Sequence, residues 1–245
     1  MFKEQRIDKI LDIIRENKYV TVDVLVSRLH YSPATIRRDI TYLANLGIVK
    51  KSYGGVSITA GKPSIIREHE NIPNKVKVCK RALDLINDGD RIFIDGTTTT
   101  YFLGEFLIKK KNVTVFTTNL KLAIYLGEHK INCYVCGGKV HDSTMLGGPY
   151  VSDLIEKTRF DKAFFSVGTI NKEGQISVAP HFWDFMKSAF RNSKSNILLC
   201  DREKLNEYSK SYYADVNAFD TVICDCEMPD VFYEKFKNTT FITAE

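Results

Sequence analysis

Ser32-Pro33-Ala34-Thr35-Ile36-Arg37-Arg38-Asp39-Ile40-Thr41-Tyr42-Leu43-Ala44-Asn45-Leu46-Gly47 decides the fold of the first quarter of the chain. Ser32 is a good N-cap, and Pro33 falls at the first helical position, where a missing N–H costs nothing. Ile36, Ile40 and Leu43 recur at helical spacing and form one buried stripe. Gly47 suits the left-handed residue that closes a helix. With the stripe inward, Ala34, Arg38, Thr41 and Tyr42 face outward, flanked by Thr35 and Arg37. Arginines and hydroxyls on one helix face match what a major groove offers, phosphate oxygens and base edges.

The flanking sequence supports this reading. Upstream, Ile7, Ile10, Leu11 and Ile14 mark an amphipathic helix over about residues 4–16, ended by Asn17-Lys18. Thr21 caps a short second helix carrying Val22, Leu25, Val26 and Leu29, and His30-Tyr31 makes the turn. Three short helices with tight turns are a helix-turn-helix arrangement. Downstream, residues 48–53 form a short strand with Lys50 and Lys51. Gly54-Gly55 is a hairpin turn signal, and Val56-Ser57-Ile58 is the return strand. A basic hairpin directly after a reading helix is a wing. Lys50, Lys51 and the N–H groups near Gly54 are placed for the sugar-phosphate backbone. Residues 1–60 hold ten Lys/Arg and six Asp/Glu, so +4 of the chain's net +5 sits there. The competing reading, a solvated helix face with two ordinary arginines, does not account for the wing behind it.

Thr35-Ile36-Arg37-Arg38-Asp39, followed by Leu43, Leu46-Gly47 and Gly54-Gly55, resembles the DeoR family of bacterial repressors. That family usually has histidine before the glycine pair; here the residue is Tyr53, which can still contact a phosphate. The expected DNA-contact set is Ser32, Ala34, Thr35, Arg37, Arg38, Thr41, Tyr42, Lys50, Lys51, Tyr53 and Gly54. It lies in a winged helix-turn-helix domain over residues 1–57.

Residues 58–73 contain Gly61, Pro63 and Pro73, lack sustained periodicity and read as a linker. From residue 74 to 245, helical and strand patterns alternate. Val76, Cys79, Ala82, Leu83 and Ile86 make a helix. Strands are expected at 91–94, 113–117, 131–135, 161–167, 196–200, 220–224 and 240–243. Such alternation predicts an α/β three-layer domain with a mainly parallel sheet, which binds ligands at the carboxyl ends of its strands. The first strand runs into Asp95-Gly96-Thr97-Thr98-Thr99-Thr100 and opens a helix, a geometry suited to an anion, with Asp95 placed to accept from sugar hydroxyls. A plain capping turn is the alternative. Thr117-Thr118-Asn119, Gly137-Gly138-Lys139, Gly147-Gly148, Gly168 and Asp201 with Lys204 also fall at strand ends or loops, as if lining one pocket.

This order also resembles the DeoR family, whose C-terminal domain binds phosphorylated sugars on a fold similar to ribose-5-phosphate isomerase. The resemblance implies that Asp95, Gly96, Thr97, Thr98, Thr99, Asn119 and Lys204 line an effector pocket. It fails at Pro180-His181-Phe182-Trp183-Asp184-Phe185-Met186-Lys187, before an expected helix at 185–193. There Asp184 and Lys187 stand where the family carries an acid and a base, and Trp183 is expected to pack.

Composition restricts the function classes further. Hydrophobic residues are 44% and charged residues 27%, ordinary for a soluble globular protein. No run of 18 apolar residues and no signal-peptide pattern occurs, so a cytoplasmic location is expected. The six cysteines are then free thiols. Cys133-Tyr-Val-Cys136 has metal-like spacing, but residues three apart on a strand face opposite ways, so no metal and no cofactor is expected. The expected function is repression of a carbohydrate-metabolism operon. The partners are double-stranded operator DNA, a phosphorylated sugar or polyol effector, and further copies of the chain in a dimer or tetramer. Two rivals remain. One is a sugar-phosphate isomerase-like enzyme with a DNA-binding module, which lacks a paired-carboxylate motif, a metal cluster and a nucleophile elbow. The other is a constitutive DNA-binding protein whose second domain only oligomerises.

Overall fold

A computed structural model describes residues 3–17, 19–45, 48–58, 67–141, 144–205, 209 and 211–245. The chain divides into two compact units, Met1–Arg67 and Glu68–Glu245. The expected linker spans that division, and its residues 59–66 lie outside the described residues, as do Leu46 and Gly47.

In the first unit, α1 (Lys3–Asn17), α2 (Val22–Leu29) and α3 (Pro33–Asn45) pack with a small antiparallel sheet. Its strands are β1 (Tyr19–Thr21), β2 (Val49–Ser52) and β3 (Gly55–Ile58), in the order β1-β3-β2. Ile10, Leu11, Ile14, Leu25, Ile36, Ile40, Leu43 and Val56 form its core. The caps follow the sequence. Thr21 Oγ1 accepts from Val24 N at 3.3 Å, and Ser32 Oγ accepts from Thr35 N at 3.2 Å. His30 takes the left-handed conformation, φ 56°.

Two features of this unit were not expected. Tyr19–Thr21 reads as connecting chain, but it pairs with Gly55–Ser57 as a third strand; three residues are too few to show alternation. The wing turn is Tyr53-Gly54, one residue earlier than expected, and Gly54 has φ +76°. Gly55 is already in β3, opposite both Thr21 and Ser52. A Cβ there would run into the Tyr19 hydroxyl and lie 2.6 Å from Val20 O. The glycine pair therefore serves two needs, backbone handedness first and clearance second.

The second unit is built on seven parallel strands. These are β4 (Arg91–Ile94), β5 (Thr114–Thr117), β6 (Asn132–Val135), β9 (Phe160–Phe165), β12 (Ser193–Cys200), β14 (Thr221–Cys224) and β15 (Thr240–Thr243). Their order is β15-β14-β12-β9-β4-β5-β6. All seven coincide with expected strands. Helices α4 (Ile72–Ala82), α5 (Leu103–Leu107) and α6 (Leu120–Glu128) cover one face, packed on Ile92, Ile94, Ile197 and Leu199. Helices α7 (Pro149–Glu156) and α8 (Pro180–Asn192) cover the other, on Phe93, Phe160, Phe165 and Leu198. Alternate residues of each central strand thus enter opposite cores, which gives the three layers.

Short strands absent from the sequence reading decorate this frame: a hairpin of β7 (Lys139–His141) and β8 (Met145–Gly147), and a ribbon of β10 (Thr169–Ile170), β11 (Gln175–Ser177) and β13 (Ala214–Asp215). The helix expected at 185–193 begins earlier, at Pro180, so the divergent segment lies inside it. Trp183 packs there, its ring 6.3 Å from Phe190 and 5.9 Å from Tyr213. Asp184 and Lys187 pair with each other at 2.9 Å on the surface. Cys133 joins the core on one side of the sheet and Cys136 the core on the other, as the strand argument requires. Among the described residues, no helix is long and apolar enough to cross a membrane.

Candidate functional site

The outward face of α3 is open. Ser32, Ala34, Arg37, Arg38, Thr41 and Tyr42 are exposed, as are Lys50, Lys51, Tyr53 and Gly54 on the wing. Thr35 is half-buried, its hydroxyl 2.9 Å from that of Ser32. The wing touches the helix, because Lys51 Nζ donates to Thr41 Oγ1 at 3.1 Å. Thr41 in turn donates to Arg37 O at 2.8 Å, and Tyr19 donates to Tyr53 O at 3.1 Å. Helix and wing therefore form one basic surface. On it, Arg38→Ala is expected to weaken operator binding by about 1–3 kcal/mol while sparing scrambled DNA. Lys51→Ala should weaken both equally and lower the salt slope by about 1. Gel-shift titrations at several salt concentrations separate the two; equal losses for Arg38→Ala would remove it as a base reader.

Asp39 ends the Thr-Ile-Arg-Arg-Asp string but faces inward. Its carboxylate is fully buried and receives Arg6 Nε at 2.6 Å and Nη2 at 3.2 Å. Arg6 also lies over the Tyr31 ring, 5.0 Å from its centre. The hydrogen bond and charge of Asp39 raise the Arg6 pKa further. The reading helix is thereby pinned to α1.

In the second unit the strand order reverses at β4: β5 lies on one side and β9 on the other. Ligands of open α/β sheets bind at the carboxyl ends beside such a switch point. The loop Asp95–Thr100 leaves β4 there and leads into a 3-10 turn, Thr100–Phe102. Asp95, expected to meet a ligand's hydroxyls, is instead consumed by the loop. Its Oδ1 accepts from Thr97 N at 3.0 Å, Thr97 Oγ1 at 2.7 Å and Thr100 Oγ1 at 2.6 Å. Its Oδ2 accepts from Ser166 N at 2.9 Å, across the switch point. Burial raises the Asp95 pKa, and the Thr100, Ser166 and Thr97 donors oppose that shift. Asn119 is a strut as well: it caps α6 through Leu122 N at 3.0 Å and donates to Gly96 O at 3.3 Å. A Cβ on Gly96 would lie 3.0 Å from Thr118 Oγ1 and 3.3 Å from Met145, so glycine lets this loop close down.

What the loop leaves unsatisfied is informative. The N–H groups of Gly96, Thr98 and Thr99 have no acceptor among the described residues. Thr118 Oγ1, Ser166 Oγ and Asp201 Oδ2 are buried and have no hydrogen-bond partner among the described residues. Thr118, Ser166 and Asp201 follow β5, β9 and β12, so these groups gather along four adjacent strand ends. Lys75, which the sequence reading missed, is buried on α4 and donates to Thr98 Oγ1 at 3.2 Å. Burial raises the Asp201 pKa, against the pull of Lys204 and Lys75. Lys204 is half-buried on the turn after β12, its N–H 2.8 Å from Asp201 O.

The glycines at 137–138 and 147–148 do not join this group. They line an open cavity of about 1240 Å³ with Lys139, His141 and Asp184. The β7–β8 hairpin pairs with the Thr118–Asn119 strand end: Leu146 N donates to Thr118 O at 2.7 Å.

The chain matches the description "DeoR-like helix-turn-helix domain" over residues 6–61 and "DeoR C terminal sensor domain" over residues 70–226. It is 27% identical over 255 residues to the lactose phosphotransferase system repressor of Lactococcus lactis, covering all of both chains. It is 26% identical to the transcriptional regulator FruR of Bacillus subtilis, covering 99% of this chain and 98% of that one. The transcriptional repressor GlcR of the same bacterium is 29% identical, over 92% of this chain and 89% of the other. Among solved structures, eIF2B delta from Chaetomium thermophilum aligns with TM-score 0.50 and 16% identity, over 67% of this chain and 60% of that one. Ribose 5-phosphate isomerase A from Methanocaldococcus jannaschii aligns with TM-score 0.40 and 17% identity, over 54% of each chain. With a reading helix, a basic wing and a sensor domain all matched in place, the chain belongs to the DeoR family of transcriptional regulators.

Proposed function

We propose that this regulator is a cytoplasmic homo-oligomeric repressor, not an enzyme, that controls a carbohydrate operon and releases or grips its operator on binding a phosphorylated sugar or polyol at the β4–β9 switch point. Three buried polar atoms and three loop N–H groups, all without a partner among the described residues, carry this reading, because buried polar groups in native proteins are almost always satisfied. The N–H groups of Gly96, Thr98 and Thr99, with the Lys75 ammonium, suit a phosphate. Asp201 Oδ2 takes over the hydroxyl-accepting role first expected of Asp95, with Ser166 and Thr118 beside it. Lys204 neutralises the anionic edge. The name of one relative, a lactose phosphotransferase system repressor, supports the control of a carbohydrate operon.

Two reading helices on successive major grooves call for a repeated half-site. A coupling of 1–3 kcal/mol between effector site and reading heads gives about 5- to 150-fold regulation. The test is operator binding by fluorescence anisotropy, with and without phosphorylated sugars and polyols that raise the melting temperature. Thr98→Ala and Asp201→Asn are expected to bind operator normally yet lose effector affinity by about 1–3 kcal/mol each. Parent-like response in both variants would put the effector elsewhere, and ligand turnover would restore the enzyme reading.

A further inference from the structure

Three cysteines stand at or just past the carboxyl ends of β12 and β14. Cys200 and Cys224 stand opposite each other in the parallel register, both buried and both in the core on the Phe93 side. Cys226 follows two residues later, half-buried against the same core. The Cys224 and Cys226 sulfurs are 3.5 Å apart. A disulfide would need about 2.0 Å. Two sulfurs sharing one cation at about 2.3 Å each, at a near-tetrahedral angle, stand about 3.7 Å apart. The observed spacing is that of two hydrogen-bonded thiols, and it lies close to the second arrangement, so a cation could enter with little movement of the sulfurs.

Asp225 lies within the same cluster, all ligand atoms of Cys224, Asp225 and Cys226 falling within 4.8 Å of one another. Its carboxylate is already spent. Arg202 N donates to Oδ1 at 2.6 Å and Arg202 Nε to Oδ2 at 2.9 Å, while Arg202 Nη2 reaches Asp225 O at 3.2 Å. Asp225 therefore clamps the turn, and the donors left over are sulfurs. Oxygen-seeking cations have little to bind, whereas thiolates select zinc- and copper(I)-like ions.

We infer that Cys224 and Cys226, with Cys200 beside Cys224 in the sheet register, form a binding site for a soft, thiophilic cation. Cys226 is the way in, and the Cys224 sulfur is buried behind it. Each thiol that becomes a ligand gives its proton to solvent, with no change of oxidation state. The site is separate from the effector groups but adjacent to them, since Cys200 directly precedes Asp201.

Cadmium chloride titrated into reduced, chelator-treated and desalted full-length protein tests this through the ultraviolet thiolate-to-cadmium charge-transfer band. The band should saturate at one equivalent, ignore magnesium, and keep its amplitude in a Cys133→Ser/Cys136→Ser variant. Cys226→Ser changes a half-exposed position, so it should keep its melting temperature while weakening cadmium at least about tenfold. Cys224→Ser/Cys226→Ser should abolish the band. No band in the parent, or an unaltered band in that double variant, would overturn the site.

Discussion

Asp39→Ala is expected to destabilise the first unit by about 3–5 kcal/mol, the cost of stranding a buried charge without its partner. The side chains of Asp39 and Arg6 are 1% and 9% exposed, so water cannot replace the lost carboxylate. Small domains hold only about 5–15 kcal/mol in total, so this variant should be largely unfolded at growth temperature. Replacing both partners, as Arg6→Leu/Asp39→Leu, should recover much of the loss, because an apolar pair leaves no orphan charge. Urea unfolding followed by circular dichroism measures both variants. A loss below about 1 kcal/mol for Asp39→Ala would mean that the pair behaves as an exposed surface bridge.

The second large effect belongs to Asp95. Asp95→Ala removes the acceptor for four donors from Thr97, Thr100 and Ser166. Each hydrogen bond to a charged group contributes about 1.5–3 kcal/mol, and the two backbone N–H groups cannot rotate to new partners. A loss on the order of 3 kcal/mol from the second unit is expected, together with loss of effector response. The pH dependence carries a sign. Burial raises Asp95 above its unfolded value, so the native state holds that proton more tightly. Its contribution is then present at low pH and fades as pH rises through the folded pKa. Thermal melts across the acidic range should show this slope in the parent and not in the alanine variant. Unchanged melting of Asp95→Ala at every pH would contradict the role given to its carboxylate.

The strands of the sheet were legible because strands buried on both faces read as short apolar runs, as in Arg91-Ile-Phe-Ile94 and Ile197-Leu-Leu-Cys200. The N-cap of α3 was legible from residue type and its buried stripe from periodicity. The role of Asp95 was not. A polar loop that satisfies itself and one that awaits a ligand have the same residues, and only hydrogen-bond geometry tells them apart. Lys75 did leave a signal, since it sits four residues before Cys79 and seven before Ala82, on the apolar stripe of α4. A lysine on such a stripe is paired or functional. The meeting of Cys200 with Cys224 depends on β12 and β14 being neighbours, which no local pattern states.

Helix α3 divides its work between two sets of residues. Ile36, Asp39, Ile40 and Leu43 are buried and hold the unit together, whereas Ala34, Arg37, Arg38 and Tyr42 project into solvent. Changes at well-separated positions without shared partners add nearly independently. Ala34, Arg37 and Arg38 can therefore be exchanged to retarget the protein to a different operator at little thermodynamic expense. Thr41 carries a further constraint, because Lys51 of the wing holds its hydroxyl. Substitution there alters the address and the hinge of the wing together, so duplicated copies diverging toward new operators should change Thr41 and Lys51 as a pair.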